Sequence, residues 1–137
     1  MRRWCMSPPR HTRRDQGAAA VEFALLLPLL LLIIFGIIDF GRMLNAQITL
    51  TEAAREGARA AALVDPGGQA AGVARANTAA TGIGSVTPVI TDCTDPASVN
   101  AVANLTYEFR FVTPLGFLIG AGGVMQMKGH GVMPCLH

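Results

Sequence analysis

The sequence GAAAVEFALLLPLLLLIIFGII, residues 17–38, decides the fold of this 137-residue chain. From Ala18 to Ile38 it holds 21 residues with a single charge. At ~1.5 Å per residue these would form about 31 Å of helix, enough to cross the hydrocarbon core of a bilayer. Pro28 is compatible with such a helix, because membrane helices tolerate one proline with at most a kink. We therefore expect a membrane-spanning helix.

The single charge in this stretch belongs to Glu22, near its start. An unpaired carboxylate close to the bilayer interior costs several kcal/mol, so an acidic residue there is a candidate functional site. The alternative is that the Glu22 side chain reaches the headgroup region, where water or Arg14 would satisfy its charge.

The charges on the two sides of the apolar stretch are unequal. Residues 1–17 carry five arginines and one aspartate, a net charge of +4, whereas the whole chain carries +2. The positive-inside rule then predicts that residues 1–17 are a cytoplasmic leader and that the chain after residue 39 lies outside. A nucleic-acid-binding arm is disfavoured because only Trp4 accompanies the arginines. A cleaved secretory signal is disfavoured because the apolar run is too long and lacks a small-x-small site.

The helical pattern continues beyond the apolar stretch, so we expect one helix over residues 18–64. Its amphipathic stripe is spaced by three and four residues and comprises Phe40, Met43, Gln47, Leu50, Ala54, Gly57 or Ala58, and Ala61. Its polar face predicts the ion pairs Glu52–Arg55 and Glu56–Arg59. The small residues Ala54, Gly57, Ala58 and Ala61 allow another backbone to approach closely. That backbone belongs either to another chain or to this chain's own C-terminal sheet.

The remainder predicts a small sheet domain. Asp65-Pro66-Gly67-Gly68 should end the long helix, and residues 65–85 should hold a short helix and a connector. From residue 99 to 112 apolar and polar residues alternate, which indicates a strand. Weaker strands are expected at 86–93 and 124–133, within a β domain of residues 86–137. The fold class is therefore α+β, with a long N-terminal helix, a short helix and a small antiparallel sheet.

Cysteine usage agrees with export of the C-terminal part. Cys5 lies in the leader, whereas Cys93 and Cys135 both lie beyond the apolar stretch. An even pair in an oxidising compartment predicts a Cys93–Cys135 disulfide. Closing a loop of about 43 residues would contribute roughly 4 kcal/mol in the chain-entropy model. The alternative is two free buried thiols.

The sequence offers no convincing active site, so we do not expect an enzyme, a cofactor, a metal or a small-molecule substrate. Cys135 and His137 provide two potential ligands, but tetrahedral zinc requires four at recognisable spacing. His130 is expected beside the last strand, and no serine occurs in a Gly-x-Ser-x-Gly motif. The glycines of residues 116–123 lack the spacing and the lysine of a phosphate loop.

Three motifs, in this order, resemble the TadE-like family, pseudopilins of the tight-adherence (Flp-type) pilus machinery. They are Arg13-Arg14-Asp15-Gln16-Gly17-Ala18-Ala19-Ala20-Val21-Glu22-Phe23-Ala24, then Asp39-Phe40-Gly41-Arg42, then Ala53-Ala54-Arg55-Glu56-Gly57-Ala58-Arg59. The resemblance is close over about residues 13–62. It is looser in the C-terminal part, through the strand Tyr107–Phe111, the turn Thr113-Pro114-Leu115 and the closing Met133-Pro134-Cys135.

The resemblance implies cleavage between Gly17 and Ala18 by a membrane-embedded prepilin peptidase. Glu22, followed by Phe23, would then pair with the new amino terminus at Ala18 of a neighbouring subunit. Opposite charges in a medium of low dielectric constant attract strongly. Because major Flp pilins are little more than the helix, the additional sheet implies a minor or assembly subunit. Implied partners are other pilin-like subunits, the assembly machinery, the peptidase and the membrane, with no nucleic acid.

The implied location is the bacterial cytoplasmic membrane, with one span, the C-terminal domain outside and possible incorporation in a surface pilus that serves adhesion. Two other functions fit the same residues. One is an uncleaved, membrane-anchored binding or scaffold module. The other is an anchored periplasmic enzyme, for which His130 or Ser98 would be the residues to test.

Overall fold

The computed structural model describes residues 13–64, 67–95, 98–118, 120 and 122–135. Most of the expected leader, with Cys5, lies outside the described residues, as do Asp65, Pro66 and His137. The chain divides into two units, residues 1–35 and 36–137. The elements are α1 (Arg13–Leu63), α2 (Gly68–Ala79), β1 (Thr87–Thr91), β2 (Asn100–Arg110), α3 (Leu115–Leu118) and β3 (Val124–Pro134). The α+β class predicted from the sequence is confirmed.

Helix α1 starts at Arg13, five residues before the predicted start, and ends at Leu63. It contains Pro28, as a membrane helix can. Within the described residues, one helix is long and apolar enough to cross a membrane. The leucines of its apolar part lie open to the surroundings, as in Leu25, which is 76 % exposed. This N-terminal part of α1 suits a membrane anchor.

The strands form one antiparallel sheet in the order β1-β2-β3. Ile90 of β1 is paired with Ala103 of β2, and Leu105 of β2 with Gly129 of β3. All three strands lie close to the predicted ranges of residues 86–93, 99–112 and 124–133. The register places inward-facing residues of β2 beside inward-facing residues of both neighbours, so that the sheet has one continuous inner face.

The inner face of β2 follows the predicted alternation. Ala101, Ala103, Leu105 and Phe109 are buried, and the intervening residue Asn104 is exposed. Val99, which the pattern placed on the apolar face, is instead 74 % exposed because β2 starts after it, at Asn100. One face of the sheet is therefore covered and the other faces the surroundings.

The covering layer is α1 beyond its apolar stretch, together with α2. Leu50, Ala54, Ala58 and Ala61 of α1 are fully buried in the core. Phe40 was expected on the same stripe, but it is 57 % exposed. Asp39, rather than Phe40, is buried at this end of the unit. The hydrogen bonds described below satisfy its buried carboxylate.

Two glycines of β3 allow the sheet to approach α1 closely. A Cβ atom on Gly129 would lie 2.6 Å from the Leu50 carbonyl oxygen. A Cβ on Gly131 would collide with the Ala54 carbonyl oxygen. Any larger residue would push the strand away from the helix, because the obstacle is backbone rather than a movable side chain.

Helix α2 is held between α1 and β1. Gly67, at φ +101°, provides the left-handed turn that precedes the helix. A Cβ on Gly72 of α2 would lie 2.8 Å from the Gly57 carbonyl oxygen of α1, so the two helices touch through their backbones. The Asp92 carboxylate accepts a hydrogen bond of 3.1 Å from the Gln69 amide and so satisfies a free donor in the first turn of α2.

Asp92 is also held by Thr94. The Thr94 hydroxyl donates to the Asp92 carboxylate and, against an opposing effect of desolvation, holds the pKa of Asp92 below its ordinary value of 3.8. The amides of Gln69 and Thr94 lower this pKa further, because hydrogen bonds to the charged form favour it. Ionised Asp92 therefore stabilises the junction between β1 and α2.

The predicted disulfide joins Cys93, just after β1, to Cys135, just after β3. Their Cα atoms are 5.7 Å apart, a separation typical of disulfides. The Cys135 amide also donates to the Val99 carbonyl, at 2.9 Å. Together these bonds tie the end of the last strand to the segment that connects β1 and β2.

Candidate functional site

The residues predicted for processing and pairing lie at the start of α1. Gly17, Ala18, Glu22 and Phe23 are all helical and exposed. Ala18 and Glu22 are four residues apart, so along the axis they differ by about 6 Å, roughly one helical turn. An amino group at Ala18 and the carboxylate of Glu22 would therefore occupy the same end of the helix.

Gly17 has no packing role in the described fold. A Cβ atom built on it would meet no atom within 4 Å. A glycine inside a helix costs roughly 1 kcal/mol relative to alanine, so the helix is intrinsically weaker at this position. No contact among the described residues requires a glycine at this position.

The ion pairs among the described side chains do not include Glu22. They are Arg42–Asp39, at 3.6 Å, and Arg75–Glu56, at 3.2 Å. The pair expected between Glu56 and Arg59 is wrong, because Glu56 instead contacts Arg75 of α2. Glu52–Arg55 is likewise not among the described ion pairs.

The small residues of α1 contact this chain's own elements. Ala54, Ala58 and Ala61 are fully buried. A Cβ on Gly57 would lie 3.0 Å from the Ala76 Cβ of α2. The sequence left open whether the closely packed backbone belongs to another chain or to this chain. In the structure it belongs to this chain, because α2 and β3 cover this face of α1.

Another face of α1 remains uncovered in the C-terminal unit. Phe40, Leu44 and Ile48 recur every four residues and are 57 %, 47 % and 60 % exposed. They continue the apolar character of residues 18–38 beyond Asp39. Large apolar side chains in a row on one helix face are typical of a contact surface.

Asp39 is a buried carboxylate whose role the sequence did not reveal. It is only 3 % exposed. Its Oδ1 accepts from the Val112 amide at 3.2 Å, and its Oδ2 accepts from both the amide and the hydroxyl of Thr113. These donors satisfy the carboxylate and fix the segment after β2 to α1. The signals in the sequence were the position of an acidic residue directly after the apolar run and its occurrence in the motif Asp39-Phe40-Gly41-Arg42.

Arg42, one turn after Asp39, lies beside the end of β2. Its Nη1 donates to the Arg110 carbonyl at 3.5 Å, and its guanidinium carbon lies 5.4 Å from the centre of the Phe109 ring. Arg42 therefore combines an ion pair, a hydrogen bond and a cation–π contact. Asp39 and Arg42, the first charged residues after the apolar stretch, thus connect α1 to the end of β2 and to the segment that follows it.

Among the described residues no group of three or more His, Cys, Asp or Glu side chains could hold a metal ion. His130 lies on the exposed sheet face, where its Nδ1 is 2.8 Å from the Asn104 Oδ1. A cleft of about 130 Å³ between Arg42, Ile83 and Tyr107 is open to solvent. These arrangements bring together no nucleophile and base of the kind that hydrolytic catalysis requires.

The helix α1 is similar in sequence to a known protein family. The family model described as TadE-like protein matches residues 17–59, which start at Gly17 and end within the small-residue segment of α1. Comparisons with curated proteins and with solved structures return no match. The family resemblance predicted from the sequence motifs is thereby confirmed for these residues.

Proposed function

Because residues 17–59 match the TadE-like family, we propose that this chain is a minor pseudopilin or assembly subunit of a tight-adherence type pilus. The observation that carries the proposal is the coincidence of this match with a long apolar helix that begins the described chain. A pilin-like subunit needs such a helix, first as a membrane anchor and then as a packing element. The sheet unit would be displayed on the far side of the membrane.

The charge distribution supports this orientation. The arginines before Gly17 favour the cytoplasm, whereas the remainder of the chain is acidic overall. The Cys93–Cys135 disulfide agrees with an extracytoplasmic location of the sheet, because disulfides persist in oxidising compartments. The location we propose is the cytoplasmic membrane of a bacterium, with a single span.

We further propose that a prepilin peptidase cleaves between Gly17 and Ala18. Gly17 supports this assignment because no contact among the described residues requires a glycine at this position. A weak point in the helix also helps a protease, which must bind its substrate in an extended conformation. Cleavage would leave an ammonium group on Ala18, about one turn from Glu22.

Glu22 would then pair with the Ala18 ammonium of a neighbouring subunit. Neither charge is tolerated alone in a medium of low dielectric constant, so the pair would set the register between adjacent helices. The described ion pairs do not include Glu22, which supports a partner outside this part of the chain.

The contact between subunits would use the exposed surface of α1. Ala54, Gly57, Ala58 and Ala61 are occupied by α2 and β3 and cannot also receive a neighbouring helix. The surface that remains is the apolar stretch and its continuation through Phe40, Leu44 and Ile48. Helix packing between subunits is therefore assigned to this face.

The test is intact-mass analysis with N-terminal sequencing of the protein from its native membrane, beside a Gly17→Leu variant. We expect the wild-type chain to begin at Ala18 and the variant to keep its leader. The variant is informative because a side chain at residue 17 meets nothing in the fold. A wild-type chain that still begins before Gly17 would refute processing and favour the uncleaved anchored module.

A further inference from the structure

The connection between β2 and β3 is unusually apolar for a surface segment. Between Arg110 and Lys128 the chain carries no charged side chain. Two of its large apolar side chains point away from the fold, since Val112 is 72 % and Phe117 is 75 % exposed. Single exposed apolar residues are common on proteins, but an uncharged segment that exposes two large ones is a candidate contact surface.

The hydrogen bonds to Asp39 fix this segment to the residue that directly follows the apolar stretch. Asp39 directly follows Ile38, the last residue of that stretch. Val112 and Thr113 donate to its carboxylate. The connection therefore lies within hydrogen-bonding distance of the residue at which α1 would leave the bilayer. Ile37 and Phe40, on either side of this point, are 68 % and 57 % exposed.

Two arginines stand beside the apolar segment. Arg110 ends β2 immediately before it, and Arg42 donates to the Arg110 carbonyl. The Arg42 side chain is 47 % exposed, so part of its guanidinium remains available. Guanidinium groups bind phosphate oxygens well, and anionic headgroups attract basic residues near a membrane. Apolar side chains flanked by arginines are typical of a segment that enters a lipid interface.

We propose that the segment Val112–Phe117 dips into the outer leaflet of the bilayer that α1 crosses. Val112 and Phe117 enter the boundary between headgroups and acyl chains, while Arg42 and Arg110 face lipid phosphates. The inference rests on the proposed membrane span. Lipid is the occupant because the Asp39 bonds hold the segment beside the end of the apolar stretch, where bilayer surrounds the chain before any other subunit arrives. The sheet unit is thereby held against the membrane surface.

The experiment uses the full chain in liposomes that contain acyl-chain-brominated lipids, which quench tryptophan on contact. Trp4, the single tryptophan of the sequence, is first replaced by phenylalanine. One tryptophan is then introduced by Phe117→Trp, by Val99→Trp or by Ile34→Trp. Val99 is the matched control, because it is 74 % exposed and precedes β2 at the end opposite to the connection. The two sites lie beyond opposite ends of β2, whose 11 residues span about 36 Å. Ile34 reports on the span itself.

We expect brominated lipid to remove most of the emission at position 117 and at position 34, and to leave position 99 unchanged. The emission at 117 should also be shifted to the blue relative to 99. Quenching at 34 with none at 117 would refute the lipid contact and leave the span intact. No quenching at 34 would refute the span and with it this inference. A blue shift at 117 that appears without quenching, and only at high protein density, would assign the segment to a second copy and refute the lipid contact.

Discussion

Thr113 donates both its amide and its hydroxyl hydrogen to one carboxylate oxygen of Asp39, although 74 residues separate them in the chain. The Val112 amide donates to the other oxygen. A single buried side chain of α1 therefore satisfies three donors of the β2–β3 connection. This polar contact holds the connection to α1 at Asp39.

Removal of the Asp39 carboxylate should destabilise the sheet unit. Asp39→Ala leaves three donors without their acceptor, and each hydrogen bond to a charged group contributes about 1.5–3 kcal/mol. We expect the free energy of unfolding to fall by at least about 2 kcal/mol, and by less for Asp39→Asn, which keeps one acceptor oxygen. The measurement is denaturant unfolding of the full chain in detergent micelles, followed by the circular dichroism of the sheet.

Glu52→Ala is the matched control, because Glu52 is an exposed carboxylate on the same helix. Its effect should stay within about 0.5 kcal/mol, as for most surface substitutions. Equal losses for the Asp39 and Glu52 variants would show that the buried hydrogen bonds contribute nothing specific.

Gly131→Ala should prevent the close packing of β3 on α1. The added Cβ would collide with the Ala54 carbonyl oxygen, which belongs to helix backbone and cannot rotate away. Overpacking usually costs about 1–3 kcal/mol, and we expect the upper part of this range. The same unfolding measurement applies.

Gly82→Ala provides the comparison for Gly131, because a Cβ at Gly82 meets nothing within 4 Å. Gly82→Ala should leave stability unchanged or raise it slightly, since alanine restricts the unfolded chain. Unfolding midpoints that coincide for the two alanine variants would contradict the close approach of Gly131 to Ala54.

The elements of this fold could be predicted because each has a local pattern. The alternation around Leu105 and Phe109 indicated β2, and the apolar run to Ile38 indicated the N-terminal part of α1. The contacts between elements could not be predicted in the same way. The close approach of Gly131 to Ala54 joins a strand and a helix that are far apart in the chain.

The prediction for Phe40 was wrong for a physical reason. Phe40 was expected on the inner stripe of α1, because apolar residues usually face the core. Asp39 is buried there and Phe40 is exposed, because the donors of Val112 and Thr113 satisfy the Asp39 carboxylate, a relationship that no local pattern contains. Similarly, Glu56 reaches Arg75 on another helix instead of Arg59 on its own. The candidate residues Gly17 and Glu22 came from the order of motifs, and among the described residues neither an ion pair nor a packing contact points to them.

Loss of the disulfide should be the largest single destabilisation of the sheet unit. Cys93→Ser opens the link to Cys135, whose loop contributes roughly 4 kcal/mol in the chain-entropy model. Cys135→Ser and the double variant should give the same loss, because one bond is removed in every case. A Cys5→Ser background prevents exchange with the third cysteine. Non-reducing gel mobility reports the bond, and double-variant stability well below that of either single variant would contradict the pairing.

The contribution of Asp92 should depend on pH. Its folded-state pKa is lowered, so the ionised form stabilises the fold fully above the ordinary carboxyl value of 3.8, and this stabilisation is lost as the pH falls through the lowered value. Wild type should therefore exceed Asp92→Asn in unfolding midpoint from neutral pH down to about pH 5, and the gap should narrow below pH 4. A gap that widens on acidification would contradict the role of the carboxylate at the start of α2.

Glu22→Gln should impair assembly while it leaves membrane insertion and cleavage intact. Glutamine keeps the shape of the side chain but removes the charge that the Ala18 ammonium of a neighbour requires, so the ammonium stays unpaired in a medium of low dielectric constant. Neighbour contact can be measured with a photo-crosslinking residue at Leu25, which is 76 % exposed, in native membranes. We expect the yield of crosslinked neighbours to fall severalfold. Glu52→Gln, outside the apolar stretch, should leave the yield unchanged.

A second comparison tests whether Glu22 acts by pairing with the new amino terminus of a neighbour or by a separate effect within its own helix. It asks whether the loss of crosslinking in Glu22→Gln depends on cleavage after Gly17. Gly17→Leu should reduce crosslinking from Leu25 by a similar factor, because an uncleaved chain presents no ammonium at Ala18. The double variant should then be no worse than either single variant, since both changes remove the same ion pair and their effects cannot add. Multiplied losses in the double variant would show that Glu22 acts independently of the new amino terminus, and the pairing would have to be abandoned.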